Sequence, residues 1–156
     1  MQVWHTEDKT DWLAGPWQEE PDKAQWITAA GLDGLIVRGP MGALCGYVGV
    51  PPSHPAFKVD FETVDVAVHG GLTFANMCVK TDDEGHGICH TESEAAHPVV
   101  WWLGFDCGHA FDVCPQLTRL CREFGDLKGT YRDFPYVLEQ VEQLAAQLVA
   151  WPTALL

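Results

Sequence analysis

Apolar residues recur at intervals of three and four near the C-terminal end, where Phe134, Val137, Leu138, Val141, Leu144, Ala145 and Leu148 form one stripe. Asp133 supplies a cap and Pro135 suits the first turn, so the pattern predicts a long amphipathic helix that covers one face of a sheet. Upstream the pattern is that of strands. Leu35–Arg38 and Ala43–Val50 flank the turn residues Gly39 and Pro40 and predict a hairpin, with Gly46 and Gly49 marking a bulge or a close backbone approach. Val64, Val66 and Val68 alternate and predict a third strand that stops at His69, and Leu72–Val79 continues as a fourth. Val99 to Phe105 is apolar without alternation, as in a strand buried on both faces, and ends at Asp106. Two shorter helices are expected, one from the N-cap Asp22 to the C-cap Gly31 and one from Pro115 toward Gly125. Together these elements predict an α+β fold with a mixed or antiparallel central sheet. Residues 1–156 read as a single domain in which the Trp-rich, acidic segment of about residues 1–31 is peripheral.

Charge narrows the function classes. Nine Lys plus Arg against 22 Asp plus Glu give a formal charge of -13, which leaves no basic field for a phosphate backbone and excludes ordinary duplex binding. Gly, Pro, Asp and His interrupt every apolar stretch before the roughly 18 residues of a membrane span. The first residues have neither a basic start nor an apolar run, so a cytoplasmic protein is expected. In that compartment the six cysteines are expected to be free thiols, and the absence of a Cys-x-x-Cys pair removes support for a zinc ribbon.

The candidate chemistry lies in His and Asp residues at the ends of the predicted strands. His54 sits in the stiff loop Pro51–Pro55, His69 precedes Gly70 and Gly71, and His109 follows the apolar strand. Asp106, His109 and Asp112 are spaced by threes, which brings them to one face if the segment makes a helical turn. Imidazole and carboxylate together suit a divalent metal, zinc first. In this reading His54, His69, Asp106 and His109 hold the metal and Asp112 activates an attacking water. Each residue also has a plainer role, since a strand-end histidine is commonly a hydrogen-bonded structural residue and either aspartate can cap a turn. Arg38, a lone cation in an apolar strand, would clamp a phosphate or carboxylate of the substrate or pair with an acid of the chain; Thr73 offers a hydroxyl beside the glycines. A second group, His86, Cys89 and His90, would need Cys78 or His97 to complete a zinc clip, and a polar loop accounts for it equally.

The strings Gly46 to Pro55 (GYVGVPPSHP), Val68 to Phe74 (VHGGLTF) and Trp101 to Asp112 (WWLGFDCGHAFD), with Tyr131, Arg132 and the closing helix, resemble an uncharacterised family of small bacteriophage and prophage proteins. The resemblance spans residues 34–148 and implies a phage context, hence the host bacterial cytoplasm, with these positions as the family's motifs. That setting favours a protein that processes or sequesters a small molecule, or one that blocks a host protein. The leading expectation is a metal-dependent hydrolase for a phosphate-containing or other small substrate. The alternatives are a non-enzymatic binder that sequesters a small ligand, an acidic decoy that occupies a host protein's binding surface, and a purely structural metal site.

Overall fold

A computed structural model describes residues 1–78, 87–88, 99–118 and 129–152 of the chain. The fold is α+β: among the described residues a six-stranded sheet, antiparallel throughout, carries one long helix on one face. The strands are β1 (Gln2–Trp4), β2 (Lys23–Ile27), β3 (Asp33–Arg38), β4 (Leu44–Val50), β5 (Phe74–Met77) and β6 (Trp101–Asp106). Their order is β1-β2-β3-β4-β6-β5, so β6 lies between β4 and the edge strand β5.

The predicted hairpin is β3–β4, in register from Asp33 opposite Gly49 to Arg38 opposite Leu44. Side chains alternate between the faces, and each face buries its own cluster. Ala24, Ile36, Val48, Leu103 and Phe105 face α1 (Phe134–Val149), which contributes Val137, Val141, Leu144, Ala145 and Leu148. Leu35, Val37 and Trp102 lie on the opposite face with Tyr47 and Phe74. Gly46 permits the close approach expected of it, because a Cβ there would stand 2.5 Å from the Phe105 ring and 2.7 Å from Val141 of the helix. Asp133 caps α1 by accepting the Tyr136 N–H at 3.0 Å, and Pro135 occupies the first turn.

Three expectations are corrected. The segment from Asp22 to Gly31 is not a helix but β2 and the turn into β3. Lys23–Ile27 is paired on both sides, and a full ladder outweighs the weak local preference for helix. Asp22 accepts backbone N–H groups as a cap would, but those of Thr6 and Glu7, and Gly31 takes its positive φ of 86° in the hairpin turn. Within the opening segment, Gln2–Trp4 and Lys23–Ile27 are thus strands of the sheet. The alternating valines at 64, 66 and 68 do pack on the core, yet they form no strand. Side chains of α1 satisfy that backbone instead: Gln147 bonds both the N–H and the carbonyl of Ala67, and Gln140 accepts the His69 N–H at 2.9 Å. Finally, Cys78 is disulfide-bonded, against the expectation of free thiols, whereas Cys45, Cys107 and Cys114 form no disulfide. The helix expected after Pro115 begins as a 3-10 turn, Pro115–Leu117, and its continuation lies outside the described residues. Among the described residues no helix is long and apolar enough to cross a membrane.

Candidate metal centre

Beyond β6 the chain folds into tight turns. The Asp106 carboxylate accepts the Gly108 N–H at 2.9 Å, and the Asp112 N–H donates to the His109 carbonyl at 3.0 Å. These turns, rather than a helix, bring Asp106, His109 and Asp112 together. His109 Nδ1 lies 3.6 Å from Asp106 Oδ1 and 3.7 Å from Asp112 Oδ2. Gly70, at φ 67°, leaves room for the His109 ring, which a Cβ at that position would meet at 2.3 Å. The glycine after His69 thus lets the two histidines approach, with ring centroids 5.9 Å apart.

Asp112 forms the floor of the cluster, with 3 % of its side chain exposed. Its Oδ2 accepts from His69 Nε2 at 2.8 Å and from the His109 backbone N–H at 3.1 Å, and its Oδ1 accepts from Arg132 Nε at 3.1 Å. Burial alone would raise this carboxyl, but the hydrogen bonds from His69, Arg132 and the His109 N–H outweigh it and hold the group below the usual carboxylate range. His69 Nδ1 is bonded to the Tyr136 hydroxyl at 2.8 Å. The carboxylate can only accept, so Nε2 carries the proton and Nδ1 accepts from Tyr136 when the ring is neutral. A hydroxyl can reverse that role. With Nδ1–H donated to Tyr136 oxygen, the Nε2 lone pair is freed for a cation, which is how ligating imidazoles are commonly held.

His69, His109 and Asp112 each offer a ligand atom, all within 4.8 Å of one another. The separation is informative because, among the described residues, His109 Nδ1 is buried without a hydrogen-bond partner. Its distances to the two carboxylates exceed hydrogen-bond length. The 3.7 Å to Asp112 and the 2.8 Å between His69 Nε2 and Asp112 Oδ2 lie on either side of the ~3.3 Å that separates donor atoms around tetrahedral zinc with bonds of about 2.0–2.1 Å. The cluster opens toward solvent on one side, where His109 and Asp106 are 36 % and 39 % exposed.

The remaining sequence candidates fall elsewhere or act differently. His54 does not join the cluster: its Nδ1 accepts the Ala56 N–H at 3.0 Å and its Nε2 donates to the Leu148 carbonyl at 2.7 Å. At 1.5 Å per residue, about 18 Å of α1 separate Leu148 from Tyr136. Arg38 is fully buried in an internal network, donating to Asp22 at 2.6 Å, to the Gly42 and Pro21 carbonyls and to the Tyr131 hydroxyl. It pairs with the chain's own acids and presents no free face to a substrate. Thr73 donates its hydroxyl to Asp106 Oδ2 at 3.2 Å. His86, Cys89, His90 and His97 lie outside the described residues. Sequence reasoning missed Tyr136 and Arg132 as participants in the cluster. Tyr136 reaches His69 through the docking of α1, and Arg132 reaches Asp112 through the bridge between Asp112 and Thr130; local spacing encodes neither. Neither a family model, a curated protein nor a solved structure matches the chain.

Proposed function

We propose that this protein binds a divalent cation, zinc best matching the donors, through His69, His109 and Asp112, and uses it to hydrolyse a small phosphate-containing substrate. The observation that carries the reading is the buried, unpartnered His109 Nδ1, held between two carboxylates at 3.6 and 3.7 Å. The roles of the two aspartates are exchanged relative to the sequence expectation. Asp112, buried and with a depressed pKa, is suited to ligate and poorly suited to take up a proton. Asp106, at the open rim, is the carboxylate that solvent reaches. The cation would polarise the substrate and offset its charge. The oxygen of a water attacks phosphorus while Asp106 takes its proton; the ester P–O bond breaks, and the proton passes to the leaving oxygen.

Zinc titration of chelator-stripped protein tests the binding step. Wild type and His54→Ala should each take up one equivalent, whereas His69→Ala and His109→Ala should lose at least tenfold in affinity. Failure of the folded wild type to take up zinc, or a loss in His54→Ala equal to that in His109→Ala, would overturn the assignment.

A further inference from the structure

We infer that the loaded site takes an aromatic phosphate, with Arg132 and the cation sharing the phosphate oxygens and Phe111 providing a face for the ring. This rests on the metal-binding reading and specifies its substrate. Arg132 spends only Nε on Asp112, while its guanidinium lies 5.0 Å from the Tyr136 ring centroid and its side chain is 28 % exposed. Among the described residues its two terminal nitrogens make no hydrogen bond, and a planar fork of that kind matches the geometry of a phosphate. Among the described residues Arg38, Lys9 and Lys23 are buried and Lys58 lies over the Phe57 ring, whereas Arg132 stands at this cluster.

Phe111 lies between His109 and Asp112 at φ 73°, a conformation rare for a bulky side chain, and is 77 % exposed. Backbone bonds fix it there. The Phe111 carbonyl accepts the Thr130 N–H at 2.7 Å and the Val113 N–H donates to the Thr130 carbonyl at 3.0 Å, which sets the 129–132 segment beside it. Phe111 and Arg132 thereby flank Asp112 on neighbouring segments. An exposed aromatic residue set in the chain between two of the ligands, on a segment bridged to the one that carries Arg132, suits a ligand with a planar apolar part and an anionic part.

The charges make the binding conditional. Asp106, Asp112 and Arg132 leave the cluster net negative, in a chain of formal charge -13, and a divalent cation reverses that sign. Phosphate should therefore bind only to the loaded protein, and by linkage should tighten zinc binding by the same factor.

The test is calorimetric titration of inorganic phosphate, phenyl phosphate and adenosine monophosphate into zinc-loaded and zinc-free protein, with Phe111→Ala and Arg132→Gln variants whose zinc content is measured separately. At least one aromatic ester should bind the loaded wild type about fivefold or more tighter than inorganic phosphate. Phe111→Ala should abolish that advantage and leave inorganic phosphate unchanged, and Arg132→Gln, compared at zinc concentrations that saturate the variant, should weaken all three about tenfold. The preferred ester distinguishes a ring joined directly to the phosphate from one set apart by a sugar. Zinc uptake without phosphate binding, equal affinity for esters and inorganic phosphate, or indifference to Phe111→Ala would overturn the inference while leaving the metal site intact. Absence of zinc uptake would instead defeat the metal-binding reading.

Discussion

Replacing Arg38 with methionine separates the two roles that its position in an apolar strand allows. Methionine preserves much of the stem and removes the guanidinium, which has no exposed surface and donates to Asp22 at 2.6 Å. The change also strips donors from the Gly42 and Pro21 carbonyls and from the Tyr131 hydroxyl. Breaking a buried ion pair from one side costs about 3–5 kcal/mol, because the remaining charge is left without compensation. Here Lys9 stays 2.8 Å from Asp22 and the N–H groups of Thr6 and Glu7 still donate to it, so the low end, about 3 kcal/mol, is expected. In a domain of this size that lowers the melting temperature by roughly 6–12 °C. Urea unfolding followed by Trp fluorescence gives the free energy, a thermal melt gives the temperature, and a zinc titration on the folded variant should match wild type. A melting temperature within about 2 °C of wild type, or zinc binding lost at unchanged stability, would refute the internal-network assignment.

Three further outcomes follow from the same structure. Burial alone would raise the Asp22 carboxyl, but Lys9, Arg38 and the Thr6 and Glu7 N–H groups hold it below its usual value. The stability it contributes is therefore present above the unfolded pKa of about 3.9 and lost as pH falls through the folded value; Asp22→Asn should flatten the acid limb of the urea midpoint, and an equally steep limb would contradict this. Gly46→Val places its Cβ against Phe105 and Val141 and should cost about 1–3 kcal/mol in urea unfolding; an unchanged midpoint would mean that the helix does not press on β4 at this point. Tyr136→Phe removes the partner of His69 Nδ1 and should lower zinc affinity about 10–100-fold while costing zinc-free stability about 1 kcal/mol, whereas unchanged zinc affinity would separate Tyr136 from the site.

What could be read from the sequence is what local pattern encodes. The β3–β4 hairpin, the apolar strand that becomes β6 and the capped helix α1 each carry their own periodicity and turn residues, and they appear where the pattern puts them. β2 does not, because an Asp, a short apolar segment and a Gly read equally as a capped helix or as a strand between turns, and its pairing with β1 and β3 decides the matter. The valines at 64, 66 and 68 show the converse: alternation identified their buried face, while glutamines of the distant helix took over the backbone bonds. At the candidate site, the spacing of Asp106, His109 and Asp112 correctly brought three side chains together, though through turns. By sequence His69 joins them as a histidine at the end of a run of alternating valines, and its place beside His109 depends on Gly70 and on bonds to Gln140 and Tyr136. His54 looked the same in sequence, but its ring is occupied by the Ala56 and Leu148 backbone. Tyr136 reaches the cluster through the docking of α1 and Arg132 through the Asp112–Thr130 bridge, and both are tertiary facts.

X-ray absorption at the zinc edge of the loaded, untagged protein tests the central claim most directly, because it reads the donor atoms themselves. The account predicts one zinc per chain with only nitrogen and oxygen neighbours at about 2.0–2.1 Å and the multiple-scattering signature of two imidazoles. Sulfur at about 2.3 Å would move the metal to a cysteine-containing site, and a single imidazole or none would contradict a centre built on His69, His109 and Asp112.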